Sequence, residues 1–129
     1  MERLTFDEFR ERFGHGTERR QELTERLAEW VTVARSAAGL QLIWVFGSFV
    51  TEKPGPNDLD FMAVVRRGYR IESVPGELQR YFDPEFCNSV LDLDLAIFVE
   101  GYTDVYVPDL VALLGTDAAG HVIAVEVEP

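Results

Sequence analysis

The sequence predicts an α+β fold, a small mixed β-sheet with helices packed on it. Two observations predict it. An apolar stripe of helical period runs through residues 17–38, and short runs rich in apolar residues recur at 41–46, 59–65 and 90–99. Taken in order, the segments read roughly α-α-β-β-α-β, then an ambiguous stretch, then a last strand.

Residues 5–13 read as a short helix. Thr5 and Glu8 form a capping-box pattern, Phe6, Phe9 and Phe13 share a face, and Gly14 stops it. A longer helix follows over 17–38, with Leu23, Leu27, Trp30, Val31, Ala34 and Ala38 on one stripe and Gly39 at its end. Its Arg and Glu residues are expected mostly on a solvated face. Gln41–Phe46 and Leu59–Val65 are apolar enough to be strands buried on both faces. Ser73–Phe82 reads as a helix capped by Ser73 with Pro75 in its first turn, and Pro84–Ser89 as a turn. Val90–Val99 is a third strand. Val111–Leu114 fits strand or helix, Asp117–Gly120 a turn, and His121–Val127 a last strand. These segments group into N-terminal helices (5–38), a core (40–100) and a hairpin-like tail (105–128). With 129 residues and no internal linker or repeat, a single domain over 1–129 is expected.

Composition bounds the function. The 12 Lys and Arg residues against 23 Asp and Glu give a net charge of −11. Such a surface repels phosphate backbones and disfavours general DNA or RNA binding. A nucleotide substrate remains compatible, because a bound divalent cation reverses the local field, and so does a basic protein partner. The longest apolar runs are about seven residues, too short for a membrane span, and MERLTFDEF carries no signal-peptide core. Cys87, the single cysteine, excludes an internal disulfide and fits a reducing, cytoplasmic setting as a small buried side chain. His15 and His121 are too few and too far apart for a His/Cys zinc site.

The chemistry concentrates in WVFGSFVTEKPGPNDLDFMAVV, residues 44–65. Side chains at i and i+2 of a strand point the same way, so Asp58 and Asp60 project from one face at the strand's start. The strand rise sets their Cβ atoms roughly 6–7 Å apart, within reach of shared or adjacent divalent ions. Taken alone, the pair also suits a turn followed by a rim aspartate. Asp92 and Asp94 repeat the spacing in the third strand, with protective edge charges as the plain alternative. Carboxylates on one sheet face are costly unless solvated, paired or metal-bound. Three converging on a cleft suit Mg²⁺, which takes a few carboxylates with water and phosphate oxygens. Gly47 lets backbone approach a ligand closely, and Ser48 is placed to cap a following turn whose N–H groups form an anion site. Lys53 and the arginines Arg66, Arg67 and Arg70 can reach phosphates or a partner, although solvated surface is their ordinary role.

Gly47-Ser48, nine intervening residues, Asp58-Leu59-Asp60 and a later hydrophobic-Asp-hydrophobic strand together resemble the signature of the polymerase-beta-like nucleotidyltransferase superfamily. The small size resembles its minimal branch, which includes antitoxins of bacterial toxin–antitoxin pairs, some of which transfer AMP onto their toxins. The resemblance covers roughly residues 40–100; LLGTDAAGHVIAVEVE more weakly resembles the tail of small bacterial nucleotidyltransferase-like proteins. It implies that Gly47 and Ser48, with Lys53 nearby, hold the phosphates of a nucleoside triphosphate. Asp58 and Asp60 would ligate Mg²⁺. The third acid would complete a second metal position and help deprotonate an acceptor hydroxyl. Asp94 is chosen for it over Asp92 because the family's third acid lies about four residues before the strand's end. The implied reaction transfers a nucleoside monophosphate, AMP from ATP, to a protein or RNA acceptor, with two Mg²⁺ ions and a cognate toxin as possible partner. A binding protein that neutralises a partner by contact, without catalysis, is the alternative.

Overall fold

The computed structural model describes residues 2–101 and 122–127. Strand β1 (Glu2–Thr5) runs directly into helix α1 (Phe6–Phe13), and helix α2 (Glu18–Ala38) follows. Next come β2 (Leu42–Phe46), a 3₁₀ turn (Gly47–Val50) and β3 (Leu59–Val65). Two further 3₁₀ segments (Ile71–Ser73 and Gly76–Phe82), the short helix α3 (Pro84–Phe86) and a π-type turn (Cys87–Leu91) lead to β4 (Leu93–Val99). Strand β5 (Ile123–Glu126) closes the order. The strands form one mixed sheet, β1-β5-β2-β3-β4. Strand β2 is antiparallel to both β3 and β5, whereas β3–β4 and β1–β5 are parallel. The fold is α+β, as the sequence predicts.

The helix signals act where they were read. Thr5 and Glu8 make both bonds of the capping box, at 3.2 and 2.9 Å. Thr17 accepts from the Arg20 N–H, and Gly39 ends α2 in the left-handed region at φ 62°. All six stripe residues of α2 are buried, and the Trp30 indole donates to the Tyr81 carbonyl at 2.6 Å. Alternation then sorts the sheet into two faces. Ile43, Val45, Phe61, Ala63, Val65, Leu95 and Val125 join the core that α1 and α2 cover. Trp44, Met62, Val64 and Ala124 form a second buried cluster on the opposite face. Strands β2 and β3 are therefore apolar on both sides, as expected.

Two expectations need correction. The 73–82 segment is 3₁₀ from Gly76, with Pro75 ahead of it and no side-chain cap. The residue before a proline is pushed out of the helical region, and Val74 sits at φ −84°, ψ 133°. The third strand starts at Leu93, not Val90, because the π-type turn ends on Asp92 in the left-handed region at φ 57°. The Arg and Glu residues of α2 lie mostly on a solvated face, as expected, with Arg20 the buried exception and Thr24 buried beside it. Strand β1 has no counterpart in the reading above, since its four mostly exposed residues carry no alternation. The expectations for Val111–Leu114 and Asp117–Gly120, and most of the 105–128 tail, lie outside the described residues.

Candidate functional site

The parallel pairing of β3 with β4 sets Asp60 directly beside Asp94, and the antiparallel pairing of β2 with β3 sets Phe46 on Asp60's other side. Asp58 precedes β3 and shares the parity of Asp60, Met62 and Val64, so it belongs to the face opposite the helices. One oxygen from each of Asp58, Asp60 and Asp94 lies within 4.8 Å of the other two. Hard oxygen donors this close are able to hold a divalent cation. Asp58 and Asp60 are half-buried and Asp94 is exposed, so the cluster opens to solvent on one side. Among the described residues no ion pair includes any of the three.

The electrostatics follow from that arrangement. Burial, then the charge of Asp58, then a hydrogen bond with Asp94 and its charge, push the Asp60 carboxyl up to about 7. Burial also raises Asp58, helped by Asp94 and Asp92 and opposed by Arg19 and Lys53. Like charges held together with no ion-pair partner among the described residues make a site that a cation would relieve.

The glycine at the end of β2 abuts this cluster. Gly47 has φ 77°, and a Cβ built there would lie 2.5 Å from Asp60 Oδ2. No other residue type fits that approach without displacing the carboxylate. Ser48 follows in the 3₁₀ turn, half-buried. Its side chain does not cap the turn as expected. Instead its carbonyl accepts from the Thr51 hydroxyl at 2.6 Å and the Thr51 N–H at 3.2 Å. Lys53 is exposed and enters the site only through its field on Asp58.

Asp92 and Asp94 do not share a strand face, which corrects the repeat read from their spacing. Asp92 ends the preceding turn, and its carboxylate accepts from Arg19 at 2.9 Å and Arg26 at 3.2 Å. Those bonds hold its carboxyl below the usual range. Asp94, not Asp92, joins Asp58 and Asp60. Arg66, Arg67 and Arg70 follow the far end of β3 and are exposed. Cys87 is buried, with its thiol on the Tyr81 carbonyl at 3.2 Å, and burial pushes it up to about 11.

Sequence reasoning missed Thr17, Arg19 and Arg20, whose side chains bond the chain between Phe49 and Asn57. One signal was present. Two arginines in the first turn of a helix oppose its dipole, which favours acids there, so a separate reason for them is required.

No described helix is long and apolar enough to cross a membrane. Comparison with curated proteins and with solved structures finds no match. A family model described as a family of unknown function, DUF6932, matches residues 2–112 of the 129. The chain therefore belongs to the DUF6932 family.

Proposed function

We propose that this protein is a Mg²⁺-dependent nucleotidyltransferase that moves AMP from ATP to a hydroxyl of a protein or RNA acceptor. The observation that carries the reading is the convergence of Asp58, Asp60 and Asp94 within 4.8 Å, against the Gly47 turn, where a Cβ would lie 2.5 Å from Asp60 Oδ2. Its support is the spacing of that turn and those acids along the chain, which resembles the nucleotidyltransferase signature.

Asp58, Asp60 and Asp94 would hold the metal, which when bound neutralises triphosphate charge and stabilises attacking and leaving oxygens. Gly47 and Ser48 would bring backbone close to the phosphates, with Lys53 as an exposed cation beside them. The acceptor oxygen attacks the α-phosphorus in line, the bond from that phosphorus to the bridging oxygen breaks, and pyrophosphate leaves. Asp94, the most exposed of the three acids, takes the hydroxyl proton. A cognate toxin is the acceptor class that the small size favours.

Calorimetric titration of ATP with and without MgCl₂ tests the reading, followed by pyrophosphate release with candidate acceptors. The wild type should bind ATP only with Mg²⁺, and Asp58→Ala/Asp60→Ala should not bind it. Equal binding by the two proteins refutes the site. Neutralisation of a partner by the double variant supports contact without chemistry.

A further inference from the structure

Phe49, Val50 and Pro56 are buried, but Thr51–Gly55 between them are all exposed, so packed side chains do not fix the middle of the chain that joins Gly47-Ser48 to Asp58. Three neighbours at the start of α2 hold it instead. Thr17 donates to the Pro54 carbonyl at 2.7 Å, and Arg19 to those of Pro56, at 3.2 Å, and Asn57. Arg20 donates to the carbonyls of Phe49 at 2.8 Å, Thr51 at 2.6 Å and Lys53 at 2.7 Å. Its guanidinium also lies over the Phe49 ring, 4.9 Å from the centroid.

Arg20 is only 6 % exposed, and among the described residues it pairs with no carboxylate. A buried guanidinium is costly unless its donors are used, and here the loop carbonyls use them together with that of Phe13, at 3.2 Å. A lysine ammonium lacks the fork to reach several carbonyls at once. Direction matters as well. The C=O and N–H of one trans peptide point opposite ways. The Phe49 and Thr51 carbonyls turned toward Arg20 therefore turn the N–H groups of Val50 and Glu52 away from it. Pro54 leaves no N–H after Lys53.

Arg19 brackets Asp58 from both sides. It binds the Asn57 carbonyl before it and the Asp92 carboxylate, and the Asp92 carbonyl accepts the Leu59 N–H just after it, at 3.0 Å. We propose that Thr17, Arg19 and Arg20 are positioning residues, fixing the 49–57 segment so that Gly47-Ser48 and Asp58 face one metal–triphosphate ligand. The proposal rests on the reading of that ligand given above.

The test titrates ATP with MgCl₂, and MnCl₂ alone, into the wild type, Arg20→Lys and Arg19→Lys, and follows amide exchange over residues 49–58. Arg19 is the safer substitution, its side chain being 29 % exposed, and it keeps the test open should Arg20→Lys not fold. Displacing one face of a two-sided site should weaken ATP·Mg²⁺ about ten- to a hundredfold, and Mn²⁺, which keeps Asp60 and Asp94 and still reaches Asp58 on the loosened segment, by about tenfold less. Exchange at 51–57 should accelerate while that of β2 and β3 does not. A generally loosened fold would lower both affinities together and overturn the positioning role. So would variants that bind ATP·Mg²⁺ as the wild type does. A wild type that binds neither ATP·Mg²⁺ nor Mn²⁺ refutes the ligand reading itself, and the proposal with it.

Discussion

Gly47 carries two constraints at one atom. Its φ of 77° lies where side chains are strained, and the Cβ of any other residue would press on Asp60 Oδ2 at 2.5 Å. Gly47→Ala should therefore destabilise the protein by about 1–3 kcal/mol. It should also weaken divalent-cation binding, because Asp60 is the neighbour that has to move. Urea unfolding and a Mn²⁺ titration on the same samples check both. Loss of stability with unchanged Mn²⁺ affinity would show that the close approach serves the turn alone. Glycine's demand was readable from Gly-Ser after an apolar run. That it presses on Asp60 in particular comes from the register that sets Phe46 opposite Asp60.

At the scale of elements, legibility followed periodicity. The α2 stripe and the runs at β2 and β3 were readable because burial repeats every 3.6 or two residues, and every one of those six α2 positions is buried. The start of β4 was misjudged. VLDLDL alternates as a strand should, but Asp92 adopts φ 57°, so the turn consumes the first of the two aspartates. Tertiary bonds decide this. Arg19 and Arg26, both on α2, hold the Asp92 carboxylate, and no local pattern announces partners about 70 residues away. The roles of Arg19 and Arg20 were hidden likewise, because backbone carbonyls as acceptors leave no mark on the sequence. The two aspartates should therefore respond oppositely to neutralisation. Asp92→Asn keeps an oxygen for both arginines and a residue tolerant of the left-handed region, but loses a pairing whose carboxylate side chain is 41 % exposed. It should cost about 0.5–1 kcal/mol and leave Mn²⁺ binding unchanged. Asp94→Asn should weaken Mn²⁺ binding by about tenfold or more, because it removes one of three ligands outright, at little cost in stability. Differential scanning fluorimetry with and without MnCl₂ separates them, and a reversed pattern would transfer the third ligand to Asp92.

Across the whole molecule, two kinds of negative charge oppose the fold, and salt distinguishes them. The net −11 is spread over the surface, where interactions beyond about 8 Å are screened at physiological ionic strength. The three carboxylates within 4.8 Å are not screened in that way. Asp60 is pushed up to about 7 in the folded chain by burial, Asp58 and Asp94, against about 3.9 for an unfolded aspartate. A group raised on folding stabilises fully below its unfolded value, and that contribution is lost as pH rises through the folded one. Metal-free protein should therefore lose stability between about pH 4 and pH 7. Asp92 acts with the opposite sign. Its carboxyl is held low by Arg19 and Arg26, so its contribution is present at neutral pH and lost only in acid. Asp60→Asn should flatten the neutral-pH decline while leaving the acid limb intact. A divalent cation should cancel the decline by binding the folded chain alone, adding about 2.7 kcal/mol at a hundredfold excess over Kd. KCl at matched ionic strength should not replace it, because diffuse screening does not reach oxygens that share a coordination site. Melting temperatures from pH 4.5 to 8.5 in KCl and in MgCl₂, for wild type and Asp60→Asn, carry the test. Equal stabilisation of the wild type by the two salts would show that only the surface charge was relieved, and the acidic cluster would lose its claim to bind a metal.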